Sequence, residues 1–145
     1  MNFQTTQPPG WFKVISIILL VWNLMGVASF IFHSFLMTGE ALEKLPAKEQ
    51  ALYGEYPIWT KIVFGIAVLS ALMASIFLLK KRKSARPFFI ISLLAILVQM
   101  YHNVFMTSAI DVYGPQTYIM PVFVIIIAIF SVWFTGFAIK KNWLK

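Results

Sequence analysis

Four long apolar runs alternate with short polar segments along the chain, covering residues 11–37, 58–79, 87–107 and 119–139. A helix needs about 20 predominantly apolar residues to cross the hydrocarbon core of a bilayer, and each run reaches that length. Only helices or closed barrels satisfy their backbone hydrogen bonds inside lipid. The pattern therefore predicts an all-α, integral membrane four-helix bundle that forms one domain over residues 1–145.

Charged residues divide sharply between the polar segments. All five carboxylates lie in segment 38–57 or between the last two runs, whereas basic residues fill segment 80–86 and the C-terminus. Cytoplasmic loops of membrane proteins carry an excess of Lys and Arg. We therefore predict an inner (plasma) membrane protein with both termini in the cytoplasm and segment 38–57 as an outer loop.

Composition narrows the possible functions. Cysteine is absent, which excludes thiolate metal sites and thiol redox chemistry, and two histidines cannot make a three-histidine zinc site. The net charge of +7 is gathered at the ends of the runs, where it meets lipid headgroups rather than nucleic acid. We expect no metal, no cofactor, no nucleic-acid partner and no enzymatic activity. Haem held by both histidines stays an alternative, since two imidazoles at one depth meet its minimum requirement.

Local signals predict two short helices in the outer loop. Thr38 is a candidate cap for a helix over 40–45, and Pro46 is a candidate start for a helix that Gly54 ends. The apolar side of this loop predicts that it lies across the outer mouth of the bundle or on the membrane surface.

Polar side chains within the apolar runs are the most informative positions, because an unpaired polar group in lipid is costly and must face protein or water. They form one stripe on the first run and one on the third. The two histidines lie at similar depth, roughly 8 Å below the outer boundary. We predict that the stripes line a small polar cavity open to the outer side, with five candidate ligand-binding residues: Asn23, His33, Gln99, His102 and Asn103.

Four further residues are candidates for the mouth of this cavity: Glu55, Lys61, Tyr101 and Asp111. Simpler roles stay open for both sets. The amides can join helices by hydrogen bonds, and the histidines and Lys61 can face headgroups.

Small residues recur along the second run at helical spacing. They allow two helix backbones to approach closely, which is how helices associate in lipid without a hydrophobic driving force. The predicted helix-packing residues are Gly65, Ala67, Ala71 and Ser75.

The central part of the chain also carries a set of short motifs. These are Leu45-Pro46, Tyr53, Pro57, Trp59, Leu78–Lys81, Pro87, Phe89, Ser92–Leu94 and Val98–Met100. With these motifs, residues 45–101 resemble a family of small bacterial four-span membrane proteins often labelled sugar transporters. The resemblance implies Gln99 and the loop 53–59 as recurring features, and it assigns no catalytic residue.

Two functional hypotheses follow. In the first, the polar stripes bind or transport a neutral polar solute such as a sugar, and transport requires a homo-oligomer because four spans barely enclose a pathway. In the second, the protein is an accessory or scaffold subunit whose small-residue face docks a membrane-protein partner.

Overall fold

The computed structural model describes residues 6–145, and four of its helices are long and apolar enough to cross a membrane. The prediction of an all-α four-helix bundle is confirmed. The helices are α1 (Gly10–Ile31, continued by a π-helical turn, Phe32–Leu36), α2 (Glu40–Glu43), α3 (Ala47–Tyr53), α4 (Ile58–Leu79), α5 (Ala85–Phe105), α6 (Ala109–Tyr113, followed by a 3₁₀ turn, Pro115–Tyr118) and α7 (Ile119–Lys140).

The long helices pack as antiparallel neighbours in the order α1, α4, α5, α7. Aromatic contacts bring α7 back to α1, because the Trp22 and Phe123 ring centroids lie 5.4 Å apart and those of Phe12 and Phe134 lie 5.5 Å apart. The loops form two ends of opposite charge. We call residues 37–57 and 106–118 the acidic end, since they hold all five carboxylates, and residues 80–84 and 141–145 the basic end.

The small-residue face of α4 is buried between α1 and α5. Ala67 is only 1% exposed, and its carbonyl accepts a hydrogen bond of 2.7 Å from Ser92 Oγ of α5. On the side of α1, Asn23 Nδ2 donates to Ser75 Oγ at 2.6 Å and to the Ala71 carbonyl at 3.3 Å. The amide therefore joins two helices within the bundle.

Gly65 extends this close approach toward the acidic end. A Cβ at this position would lie 3.1 Å from Phe30 Cζ of α1, so any larger residue would push the ring away. All four predicted packing residues are thus buried in contacts within this chain. Within the chain, α1 and α5 cover this face. Docking of a partner on it stays a prediction.

The core is concentrated in the half of the bundle nearest the basic end. The rings of Phe12, Phe89 and Phe134 pack there with Leu78, each at most 3% exposed. The C-terminal tail completes this core, because Leu144 is 1% exposed.

Backbone hydrogen bonds hold the tail beneath the bundle. Lys145 N–H donates to the Lys81 carbonyl at 2.7 Å, and Lys83 N–H donates to the Lys145 carbonyl at 2.8 Å. Lys81 and Asn142 are the second residues after the ends of α4 and α7, and their φ angles are 57° and 60°. This left-handed conformation ends each helix and turns the chain back across the basic end.

Several local expectations differ from the structure. The residue before α2 is Gly39, and the Thr38 hydroxyl donates to the Phe35 carbonyl instead of capping the helix. The helix predicted after Pro46 is present and ends before Gly54. The short helix α6 was not predicted, because five residues are too few for a recognisable period.

The third span also begins earlier than predicted, because Ala85 and Arg86 precede Pro87 in α5. At the opposite end of the chain, Trp143 is 7% exposed, and its ring centroid lies 5.4 Å from those of Trp11 and Phe12. Its position follows from the turn at Asn142, which directs the tail inward.

We expect Trp143→Ala to lower the free energy of unfolding by about 3 kcal/mol, because it leaves a large cavity between α1 and α7. The matched control is Trp133→Ala, since Trp133 is 59% exposed on the bundle surface. Thermal unfolding in detergent, followed by circular dichroism, measures both. Equal effects of the two substitutions would contradict a structural role for the tail.

Candidate functional site

A pocket of about 400 Å³ lies at the acidic end, where α3, the start of α4 and the π-helical turn meet. Its volume falls within the usual range for small-molecule sites. We call it the acidic-end pocket. Its lining combines hydrogen-bonding side chains with apolar ones: His33, Gln50, Tyr53, Thr60, Lys61 and Tyr113 among the former, and Met37, Leu42, Leu52 and Phe64 among the latter.

The π-helical turn shapes one wall of this pocket. Met37 N–H donates to the Phe32 carbonyl at 2.8 Å, a bond that spans five residues instead of four. Such turns are rare in proteins, and those that occur are often located at functional sites. The turn places His33 against the first loop, where its Nδ1 lies 2.7 Å from Tyr53 Oη and the two rings lie 6.0 Å apart at 29°. This hydrogen bond ties α1 to α3.

The first loop forms an ordered wall opposite α1. Gln50 Nε2 donates to the Glu43 carbonyl at 3.0 Å and to the Leu45 carbonyl at 2.7 Å, which holds α2 against α3. Leu52 anchors α3, since it is 5% exposed. Gln50 therefore lines the pocket with an amide that is already partnered.

Behind the pocket, a second group of side chains supports the loop from α5. Tyr56 Oη donates a hydrogen bond to Asn103 Oδ1. His102 is 4% exposed, and its ring centroid lies 5.4 Å from that of Tyr56 and 5.2 Å from that of Trp59. No described residue hydrogen-bonds to its buried Nδ1. Tyr56 itself lines the pocket, whereas His102 does not.

A carboxylate joins the two loops of the acidic end. Glu55 accepts hydrogen bonds from the Ser108 backbone N–H at 2.8 Å and from the Ser108 hydroxyl at 2.7 Å. These two bonds, the backbone one first, hold the pKa of Glu55 below its ordinary value. The ionised carboxylate therefore fixes the first loop to the residue that precedes α6.

The electrostatic character of the pocket favours ligands rich in acceptor atoms. Burial raises the pKa of the Tyr53 and Tyr113 phenols, so both stay neutral and can donate hydrogen bonds at neutral pH. Lys61 adds a positive charge, and no carboxylate is among the described residues that line the pocket.

The five predicted ligand-binding residues do not line one cavity. His33 lines the acidic-end pocket, while Asn23 bonds α4 and Asn103 bonds Tyr56. Gln99 is half-buried on α5, near the buried His102. A ligand role for the four residues outside the pocket stays a prediction.

Helix geometry explains this separation. From Asn23 to His33 the helix turns through ten residues, which leaves them about 80° apart around the axis even in a regular helix. Similar depth along two helices does not make their side chains point toward each other. In addition, α4 packs between α1 and α5 and the first loop folds in from the side, so the two predicted stripes contact other partners.

The four predicted mouth residues also separate. Lys61 lines the pocket, and Glu55 holds the loop beside it. Tyr101 is 61% exposed and lies against Phe105, and Asp111 is exposed on α6. Sequence reasoning named Tyr53 only among the motifs of the resemblance and did not assign it to the pocket. It missed Tyr113, for which the available signal was a polar aromatic ring next to the loop glycine Gly114.

Residues 6–145 contain no group of three His, Asp or Glu side chains arranged to hold a metal ion. No protein-family model, curated protein or solved structure matches the chain.

We expect the Glu55–Ser108 contact to weaken in acid. Because the folded-state pKa of Glu55 is lowered, the stabilisation is present above the ordinary carboxyl pKa and is lost as pH falls through the lowered value. Hydrogen exchange at the Ser108 amide, compared between the natural chain and Glu55→Ala, measures it. The two should differ at pH 7 and converge below about pH 4. Glu40→Ala is the control, and a difference that persists in acid would contradict the assignment.

Proposed function

We propose that this protein binds a small hydroxyl-rich ligand, such as a sugar or a sugar-like polar group, in the acidic-end pocket. The observation that carries the proposal is the lining of the pocket. It contains neutral phenols, an imidazole and one lysine, and no carboxylate is among the described lining residues. Hydroxyl groups accept hydrogen bonds from such donors, and aromatic rings offer apolar faces to a sugar ring. The resemblance to bacterial proteins labelled sugar transporters agrees with this class of ligand.

We further propose that the protein lies in the inner membrane with its basic end in the cytoplasm. The excess of Lys and Arg at that end supports this orientation, since short basic loops stay on the cytoplasmic side. The acidic-end pocket then opens toward the outside and receives its ligand from that side.

Binding is a simpler role for one chain than transport. The half of the bundle nearest the basic end is filled by the aromatic core and the C-terminal tail. A route through the membrane would therefore need rearrangement or additional copies of the chain. The scaffold hypothesis has less support, because its proposed docking face on α4 is covered by α1 and α5.

We expect Tyr53→Phe to weaken sugar binding about tenfold, because it removes a donor and releases His33 from its partner. The matched control is Tyr101→Phe, which removes a phenol outside the pocket. Equilibrium dialysis of detergent-solubilised protein with radiolabelled glucose, galactose and ribose measures binding. Binding of none of these sugars, or equal effects of the two substitutions, would contradict the proposal.

The proposed orientation is tested with single cysteines, because the chain contains none. We expect a membrane-impermeant maleimide to label Ala51→Cys in intact cells and to label Ser84→Cys after the cells are opened. Both positions are exposed, so labelling reports the side of the membrane. The reverse pattern would contradict the orientation and leave the binding proposal standing.

A further inference from the structure

A groove runs along the outside of the bundle between α1 and α4, directly below the acidic-end pocket. It encloses about 590 Å³ and is lined mainly by apolar side chains, among them Phe30, Phe35, Ile62, Ile66 and Leu69. This surface faces hydrocarbon when the helices cross a membrane, so a chain of hydrocarbon is the natural occupant.

The groove and the pocket are continuous. Ser34 and Lys61 line both, and the π-helical turn supplies residues to each. Lys61 lies in the first turn of α4, and Ser70, which also lines the groove, lies about 14 Å further along the helix axis. A sugar would fill the pocket but would not extend along the groove. A molecule with a polar headgroup and an acyl chain would occupy both the pocket and the groove.

We propose that the ligand of this site is an anionic membrane lipid with a hydroxylated headgroup, its head in the acidic-end pocket, its phosphate at Lys61 and one acyl chain in the groove between α1 and α4. The inference rests on the proposed function in that the same pocket binds the polar group. It goes further by naming a lipid as the source of that group.

Charge complementarity supports the anionic class. Lys61 is the one lysine, and no carboxylate is present, among the described residues that line the pocket or the groove. Glu49 lies outside this lining, near enough to contribute to the raised pKa of Tyr53 and Tyr113. A lysine in the first turn of a spanning helix lies at the depth of lipid phosphates. Donors from the pocket then reach the hydroxyl groups beyond the phosphate.

A long groove next to the pocket also distinguishes this site from general contact with the bilayer. A lysine that merely reaches headgroups selects no particular lipid and needs no groove. Here, Phe30 and Gly65 approach closely where they line the groove. The π-helical turn lies between the groove and the pocket, and its Ser34 lines both.

Native mass spectrometry of the detergent-purified full chain tests the proposal. The protein is loaded with equal amounts of phosphatidylglycerol and phosphatidylcholine of the same acyl chains, and glycerol phosphate is added in a separate arm. We expect phosphatidylglycerol to be retained about tenfold more than phosphatidylcholine, and glycerol phosphate to bind at least tenfold more weakly than the lipid.

Two substitutions assign the contacts. Lys61→Gln should abolish the preference for phosphatidylglycerol, whereas Lys48→Gln, in the exposed part of α3, should preserve it. Ser70→Phe should fill the groove and lower retention of the lipid, whereas Ser29→Phe, on an exposed position of α1, should not. If Ser70→Phe does not fold, Leu69→Ala removes part of the groove wall and should lower retention as well.

Equal retention of the two lipids by the natural chain, or equal effects of Lys61→Gln and Lys48→Gln, would overturn the lipid assignment. Tight binding of free glycerol phosphate would overturn it too, because the acyl chain would then be unnecessary. Glucose dialysis separates the two proposals. Glucose bound equally by the natural chain and Ser70→Phe, without selective lipid retention, sustains the proposed function and rejects the lipid.

Discussion

Close packing of α4 against α1 and α5 is the contact on which the rest of the structure depends. Lipid tails are as apolar as leucine, so helices in a membrane gain little from hiding apolar side chains and must gain from backbone proximity and hydrogen bonds. Ala67 and Ala71 allow that proximity, and Asn23 and Ser92 supply the hydrogen bonds across it. Because α4 is fixed in this way, its first turns are a stable wall for both the pocket and the groove.

The two ends of the bundle are packed differently, and this difference is the reason for placing the proposed ligand at the acidic end. At the basic end, aromatic rings and the buried tail fill the space between helices. At the acidic end, the walls are loops held by a few polar contacts, such as those of Glu55 with Ser108 and of His33 with Tyr53. A site that must admit a ligand is built from such weakly packed elements, and the dense opposite end supplies the stability that they lack.

The pattern of residues along the sequence was enough to predict the fold, but it was not enough to predict the site. Apolar runs of about 20 residues identified the spans, and Pro46 and Gly54 identified α3, because each of these signals acts on neighbouring residues in the sequence. The site depends instead on the direction of side chains and on how a loop folds. The depth of Lys61 in its span was enough to place it near the site. Placing Tyr53 there required knowing that α3 folds back onto α1.

The π-helical turn adds to the separation of Asn23 from His33 that a regular helix already produces. An extra residue within a turn changes the direction of the side chains that follow it, so positions after Phe32 depart further from a regular helical pattern. Such a turn persists only where surrounding contacts favour it, and here His33 and Tyr53 provide one. The irregular turn, the folded loop and the pocket are therefore one unit. A ligand that bridges the pocket and the groove at Ser34 would stabilise the whole of it.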